Sequence, residues 1–299
     1  MNEANKVSRR NLLKNAAAMA SVGAMGGSGS WAAPQATAAR QGASGKGPRT
    51  LALIGDRYHN SDYIRVSLDL VFKDLNLPID YTTNYYDLSP SLLEPYQLFV
   101  SLRDNMIWPG GYSADNTRGL ENPGEFPREK EEYWITEEQG KAVKDFVAAG
   151  NGFYSLHNNA FVSRSSKNYR EVQGGCALSH PPIRPFMVRI VNKEHPVTQG
   201  IEDFMVTDEQ HYLIYDKDTK NILLHSENVD GLTFTPELED PANPEPPKNL
   251  GTTTVSGWAH EYGKGRVVFT AIGHTIHAMW QPEYLKIQKN AVRWLLKMT

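Results

Sequence analysis

The chain has one cysteine, Cys176, in 299 residues. A single thiol excludes an intramolecular disulfide and a Cys-rich zinc site, so any metal would have to be held by histidine and carboxylate. Charge of one sign is equally scarce, since 31 Lys and Arg stand against 34 Asp and Glu for a net charge of −3. The first 38 residues carry four Lys/Arg and one Glu, so the remainder stands near −6. Such a surface repels phosphate backbones and anionic headgroups, which argues against nucleic acid as a partner. Long apolar runs are missing too. Residues 16–33 are only weakly apolar, too short and too rich in glycine for a transmembrane helix, so no stable membrane insertion is expected. There is no internal repeat. What remains, 40% hydrophobic and 22% charged, is the composition of an ordinary globular protein, with enough chain for one large domain or at most two small ones.

The N-terminal segment reads as an address. Ser8-Arg9-Arg10-Asn11-Leu12-Leu13-Lys14 leads into the Ala-, Met- and Gly-rich run, and Ala36-Thr37-Ala38 offers a cleavage site. This is the pattern of a twin-arginine signal over residues 1–38, followed by a linker at 39–48 and a domain at 49–299. The alternative for the first segment is a disordered tail. Export by the twin-arginine machinery carries folded protein, so the expected location is the periplasm or outside the cell. No cysteine lies near the cleavage site, which argues against a lipid anchor.

Past the linker, residues 50–55 form a short unbroken apolar run, the signature of a strand buried on both faces. Tyr63, Val66, Leu68, Leu70, Val71 and Leu75 recur at mostly helical spacing and stop before Pro78, where a helix must end. Further strands are predicted at 79–81, 98–102 and 152–156. Between the last two, Thr136 caps a helix whose stripe is Ala142, Val143, Phe146 and Val147 and which Gly150 closes. This alternation predicts an α/β fold, a doubly wound and mostly parallel sheet flanked by helices. The C-terminal half adds strands at 186–191, 222–225, 252–260 and 266–272 and a last helix at 282–298. Two polar stretches, 103–133 and 235–250, exceed ordinary connections. The first follows a strand's carboxyl end and reads as a lid or a surface insertion, the second as a solvated loop.

Histidine carries the chemical signal. His59, His157 and His274 each follow a predicted strand, and in a doubly wound sheet those carboxyl ends meet at one crevice. His180 and His211 sit in other polar turns. Asp208-Glu209-Gln210-His211 adds two carboxylates, able to orient a base, ligate a cation or shuttle a proton, or else to form a solvent-facing acidic turn. Leu156-His157-Asn158-Asn159 occupies the place of a nucleophile elbow without a thiol or hydroxyl, which speaks against a covalent acyl-enzyme mechanism. Cys176 reads as an inert apolar residue. The candidates are therefore His157, His59, Glu209 and His274 for catalysis. Asp56, Asn158, Asn159, His180, Asp208, His211 and Trp108 are the candidates for substrate binding. His59, His157, His180 and His274 would hold a divalent metal, zinc or another first-row ion rather than magnesium. Trp108, Trp134, Trp258 and Trp280 could stack on sugar rings, the last two equally well being packing residues.

Several segments in order carry a resemblance. They are His59, Gly150-Asn151-Gly152-Phe153-Tyr154-Ser155-Leu156-His157, Gly174-Gly175 with Ser179-His180, His195-Pro196-Val197-Thr198-Gln199-Gly200, Asp208-Glu209, and Gly263-Lys264-Gly265-Arg266-Val267 through Gly273-His274. In these the chain resembles the ThuA-like proteins, named for trehalose utilisation. The resemblance implies the class I glutamine amidotransferase-like (flavodoxin-like) fold, loss of the amidotransferase cysteine and a role on carbohydrate. The sequence departs from the family pattern in the 103–133 insertion, in Gln210-His211-Tyr212 and in Asn158-Asn159. His195, in a turn before proline, and the 263–266 turn read as structural. The leading expectation is an exported enzyme that performs acid/base or metal-assisted elimination, isomerisation or hydrolysis on a glycoside or keto-sugar. A non-catalytic sugar-binding or partner-docking protein and a hydrolase using Cys176 are the rivals. A homo-oligomer is compatible with all three.

Overall fold

The computed structural model describes residues 47–109 and 131–298. The twin-arginine segment, most of the linker and the middle of the 103–133 insertion lie outside the described residues. In chain order the elements are β1 (Thr50–Ile54), α1 (Ser61–Asp74), β2 (Ile79–Thr82), β3 (Leu98–Leu102), β4 (Met106–Ile107), β5 (Glu132–Tyr133), α2 (Glu137–Ala148) and β6 (Gly152–Leu156). There follow α3 (Lys167–Gln173), β7 (Gly175–Ser179), β8 (Arg184–Ile190), β9 (Phe204–Asp208), β10 (Tyr212–Tyr215), β11 (Ile222–Asn228), β12 (Thr253–Tyr262), β13 (Gly265–Thr270) and α4 (Pro282–Leu295).

A nine-stranded sheet runs in the order β2-β1-β3-β6-β13-β12-β11-β8-β9. The first five strands are mutually parallel, and the remaining neighbours pair antiparallel. The parallel half has the doubly wound order of flavodoxin-like folds, with its switch point between β1 and β3. Its inner strands β1, β3 and β6 are buried along their whole length because helices cover both faces, while the edge strand β2 is half-buried. Ala52 and Ile54 pack with Ile64, Leu68, Val71 and Phe72 of α1 and with Ile287 and Val292 of α4. Leu51 and Leu53, one residue out of step, pack with Val143, Phe146 and Val147 of α2 and Tyr169 and Val172 of α3.

Local signals set the helix ends. Asn60 caps α1 by accepting from the Asp62 N–H, and Thr136 and Gln139 make a reciprocal capping box on α2. Gly263-Lys264 is the two-residue turn joining β12 to β13, as the hairpin reading expects.

The antiparallel half positions part of the site. In a flat sheet β9 would lie about 19 Å from β13, four strand spacings away. Yet the N–H of Gly273, just past β13, donates to Asp208 at the end of β9 at 2.8 Å. The sheet therefore curls, bringing the end of β9 back to the crevice. β7 and β10 form a separate antiparallel pair beside it, and neither was legible in the sequence. Gly175 is what permits their close approach, since a Cβ there would lie 2.2 Å from the Ile214 carbonyl. Residues 235–250 hold no helix or strand and are largely exposed, as expected of that loop, but Arg170 clamps Asp240 and the Glu237 N–H donates to Ser179 Oγ. Among the described residues no helix is long and apolar enough to cross a membrane.

Candidate metal centre

At the end of β6 the chain turns sharply. His157 has φ +52°, in the left-handed region that a side chain adopts only under local constraint. The turn drives the imidazole into the crevice, fully buried, with Nδ1 2.7 Å from the Ala271 carbonyl. That oxygen can only accept, so Nδ1 carries the proton and Nε2 presents a lone pair.

His59 is set in the same way. Asp56, just past β1, accepts from His59 Nδ1 at 2.9 Å, from Asn158 Nδ2 at 2.9 Å and from the N–H groups of Tyr58, His59 and Asp104 at 2.8, 2.9 and 2.8 Å. Burial by itself would raise the carboxyl's pKa. The hydrogen bond and charge of His59, with the donors from Asn158 and Asp104, nevertheless hold it well below the usual carboxylate range. An ionised Asp56 fixes the proton on His59 Nδ1 and turns Nε2 inward, 3.0 Å from His274 Nδ1. A carboxylate behind an imidazole is the usual outer support of a metal ligand. His180 follows the pattern, its Nδ1 3.0 Å from the Pro181 carbonyl.

Four imidazoles converge on one oxygen. Glu209 Oε2 lies 3.0 Å from His274 Nδ1, 3.4 Å from His157 Nε2 and 3.5 Å from Nε2 of both His180 and His211. A four-coordinate ion with bonds of 2.0–2.1 Å has ligand-to-ligand edges of about 3.3 Å. His59 to His274 and His274 to Glu209, both at 3.0 Å, and His157 to Glu209 at 3.4 Å bracket that value, and these four form a group that could hold a metal ion, as do His180, Glu209 and His211. Burial opposes the charge on Glu209, but the neighbouring imidazoles of His157, His211 and His274 hold its carboxyl far below the usual range. Burial pushes His180 and His211 down, and His211 is lowered further by the neighbouring His157. His274 rises despite its burial because Glu209 favours its cation. Solvent reaches the group over His180, His274 and Glu209, whose side chains are 31%, 21% and 12% exposed.

Not every sequence candidate faces this crevice. Asn159 points into the core, where it accepts from Ser101 Oγ and donates to Ser155 Oγ and the Tyr169 hydroxyl, so it is not a substrate contact. Asp208 is fully buried and accepts the N–H groups of Gly273 and His274, which fixes the loop rather than a ligand. Asp56 and Asn158 support His59 from behind. His211 is buried against His157 and His180, at ring separations of 4.3 and 4.8 Å, which places it among the residues that could hold an ion. Trp108 packs on Arg57 and Tyr58. Trp258 is stacked on Phe269 in the core, and Trp134 donates its indole N–H to the Asp104 carbonyl. Neither can stack on a sugar. Cys176 is buried in β7, where burial pushes its thiol up to about 11, so no nucleophile lies there.

Two supporting residues escaped the sequence reading. Asp104 follows β3 just as His59 follows β1. Burial, with the charge of Asp56 beside it, raises its carboxyl to about 7. Tyr63 on α1 donates to the Gly273 carbonyl and steadies the His274 loop. The strand-end rule that singled out the histidines would have found Asp104; the helical position of Tyr63 gave no such signal.

The fold and the crevice define a doubly wound α/β protein with a histidine-glutamate centre at the carboxyl ends of its strands. The family model for ThuA, described as trehalose utilisation, matches residues 77–295, and the chain belongs to that family. Among solved structures it is similar to a ThuA-like protein of Parabacteroides merdae ATCC 43184, with 15% identity over 85% of this chain and 91% of that one and a TM-score of 0.57. A ThuA-like protein of Bacteroides uniformis ATCC 8492 shares 18% identity over 85% and 94%, with a TM-score of 0.53. A β-galactosidase of Rahnella sp. R3 shares the fold over 85% of this chain and 32% of its own length, at 11% identity and a TM-score of 0.50. No curated protein matches the chain.

Proposed function

We propose that this protein is an exported enzyme that acts on a carbohydrate, a glycoside or keto-sugar, with a first-row divalent ion held by His59, His157, Glu209 and His274. One observation carries the reading. Two imidazoles, His157 and His180, whose Nδ1 protons are committed to the Ala271 and Pro181 carbonyls, aim their Nε2 lone pairs at the Glu209 carboxylate, and a third, His59, held the same way by Asp56, turns its Nε2 to His274 beside it. Acceptors gathered around an acceptor repel one another unless a cation lies among them. His157 Nε2 is buried with no hydrogen-bond partner, and a cation bound by it would satisfy that lone pair.

An ion bound there supplies Lewis acidity toward a carbonyl or hydroxyl oxygen of the sugar. The chain's own residues do the rest. Asp56 and the Ala271 carbonyl keep the imidazoles in the ligating tautomer, and Asp208 holds the loop that carries His274. The rim of His180, Glu209 and His274 is where a sugar meets the centre and where water carrying a proton is oriented. A proton next to a ketone is acidic enough to pass to a water or hydroxide held at such a rim; reprotonation at the neighbouring carbon gives isomerisation, loss of the β-substituent gives elimination, and addition of water to that product completes a net hydrolysis. The family description supports carbohydrate as the substrate class, and the twin-arginine motif supports export.

The test is elemental analysis of untagged protein prepared without chelator, beside a His157→Ala, His274→Ala variant, with turnover assays on α-glucosides and their 3-keto forms. Stoichiometric zinc or manganese that the variant loses together with turnover supports the reading. Tight sugar binding without turnover would make the protein a binding module, and absence of both metal and sugar recognition would overturn the proposal.

A further inference from the structure

The six potential ligands fall into two sets. His59, His157, Glu209 and His274 form one, His180, Glu209 and His211 the other, each with its ligand atoms within 4.8 Å of one another and only Glu209 in common. Around a single ion with bonds near 2.1 Å, no two ligand atoms stand more than about 4.2 Å apart. The grouping therefore describes two adjacent positions that meet at one carboxylate.

Each position shows the marks of a ligand site independently. In the first, His59 and His157 offer Nε2 lone pairs because their Nδ1 protons go to Asp56 and the Ala271 carbonyl. In the second, His180 does the same through the Pro181 carbonyl, and its ring stacks on His211 at 4.8 Å and 14°. His211 is 1% exposed, with Nε2 toward Glu209 and Nδ1 unpartnered. The two sets are also carried by different parts of the fold. The first rests on the parallel strand ends plus Glu209, the second on the β7–β10 pair plus Glu209.

We infer that the crevice is a dinuclear centre in which Glu209 bridges two divalent ions, with His59, His157 and His274 on one and His180 and His211 on the other. The inference rests on the metal reading above and extends it. The first position has four protein ligands and is closed for a tetrahedral ion. The second has three and faces the solvent side, so it is the one with room for an oxygen of the sugar or for water. Ions in such pairs stand about 3.5–4 Å apart and clamp two oxygens of one substrate. Adjacent oxygens of a sugar ring, hydroxyl beside hydroxyl or hydroxyl beside ketone, have the matching chemistry.

The experiment loads the untagged full chain with manganese chloride or zinc chloride, removes excess by gel filtration and counts ions per chain, with electron paramagnetic resonance on the manganese form. Two ions per chain and an exchange-coupled manganese spectrum are expected. His180→Ala, at the half-exposed rim where folding is least at risk, should retain one ion and show the six-line signal of isolated manganese. His211→Ala should do the same, with circular dichroism as the check on its fold. One ion per saturated wild-type chain, with an uncoupled spectrum, would overturn the dinuclear inference and leave the single-ion reading standing. No ion at all would overturn both.

Discussion

A Cβ placed on Gly273 would lie 2.7 Å from the Cβ of His157, closer than real side chains approach. The two loops that deliver His157 and His274 thus touch through a position that only glycine fills. Neither loop can shift alone, because Asp208 also grips the backbone of Gly273 and His274.

Gly273→Ala should separate these loops. Overpacking of this kind costs about 1–3 kcal/mol of stability. The expected outcome is a lowered melting temperature with zinc affinity reduced at least tenfold in calorimetric titration. A variant that melts lower but binds zinc unchanged would show that the contact supports the fold and not the centre.

Asp56→Asn removes the charge that fixes the proton on His59 Nδ1. Loss of such outer support typically weakens metal binding by about 10–100-fold. The five donors around Asp56 lose their best acceptor as well, so stability should also fall. Competition with a chelator, measured on folded protein, gives the affinity change, and an unchanged affinity would remove Asp56 from the centre.

His260 provides a pH test away from the crevice. It is 6% exposed, its Nε2 lies 3.0 Å from the Val172 carbonyl, and burial, helped by the charge of Lys217, pushes it down to about 4 from an ordinary 6.5. Between those values the unfolded chain binds more protons than the folded one. Its contribution is therefore fully present above pH 6.5 and is lost as pH falls to 4, by about 3 kcal/mol. Denaturant unfolding of His260→Gln from pH 7 to 4 should show a shallower loss than the native chain.

Cys176→Ala should leave turnover and metal content intact, with a stability loss of about 1 kcal/mol or less for the small volume removed. Native protein should also resist thiol alkylation, since the thiol is buried and raised to about 11. Activity abolished by either treatment would restore the cysteine hydrolase that the geometry argues against.

Much of this protein was written locally. The apolar runs at 50–55, 98–102 and 152–156 could be read as strands buried on both faces, and Thr136 and Pro78 marked helix ends, because these signals depend only on neighbours in sequence. The strand-end rule then brought His59, His157 and His274 together, since parallel strands in one sheet must finish at one edge. The same rule, applied to the end of β3, would have reached Asp104 as well.

Other features depended on distant partners. That β7 pairs with β10 rests on Gly175 meeting the Ile214 backbone, a contact no local pattern records. The direction of Asn159 followed from its position in the turn after His157, where two residues' advance reverses the side chain from crevice to core. Asp208 turned inward through the alternation of β9, whose even and odd residues face opposite sides. Sequence by itself determined the parallel strands and the three histidines at their ends, because period and composition are local. The sequence also put His180 and Glu209 forward for that crevice, but only the tertiary structure brings them and His211 to it, because that requires the antiparallel half to curl back over four strands.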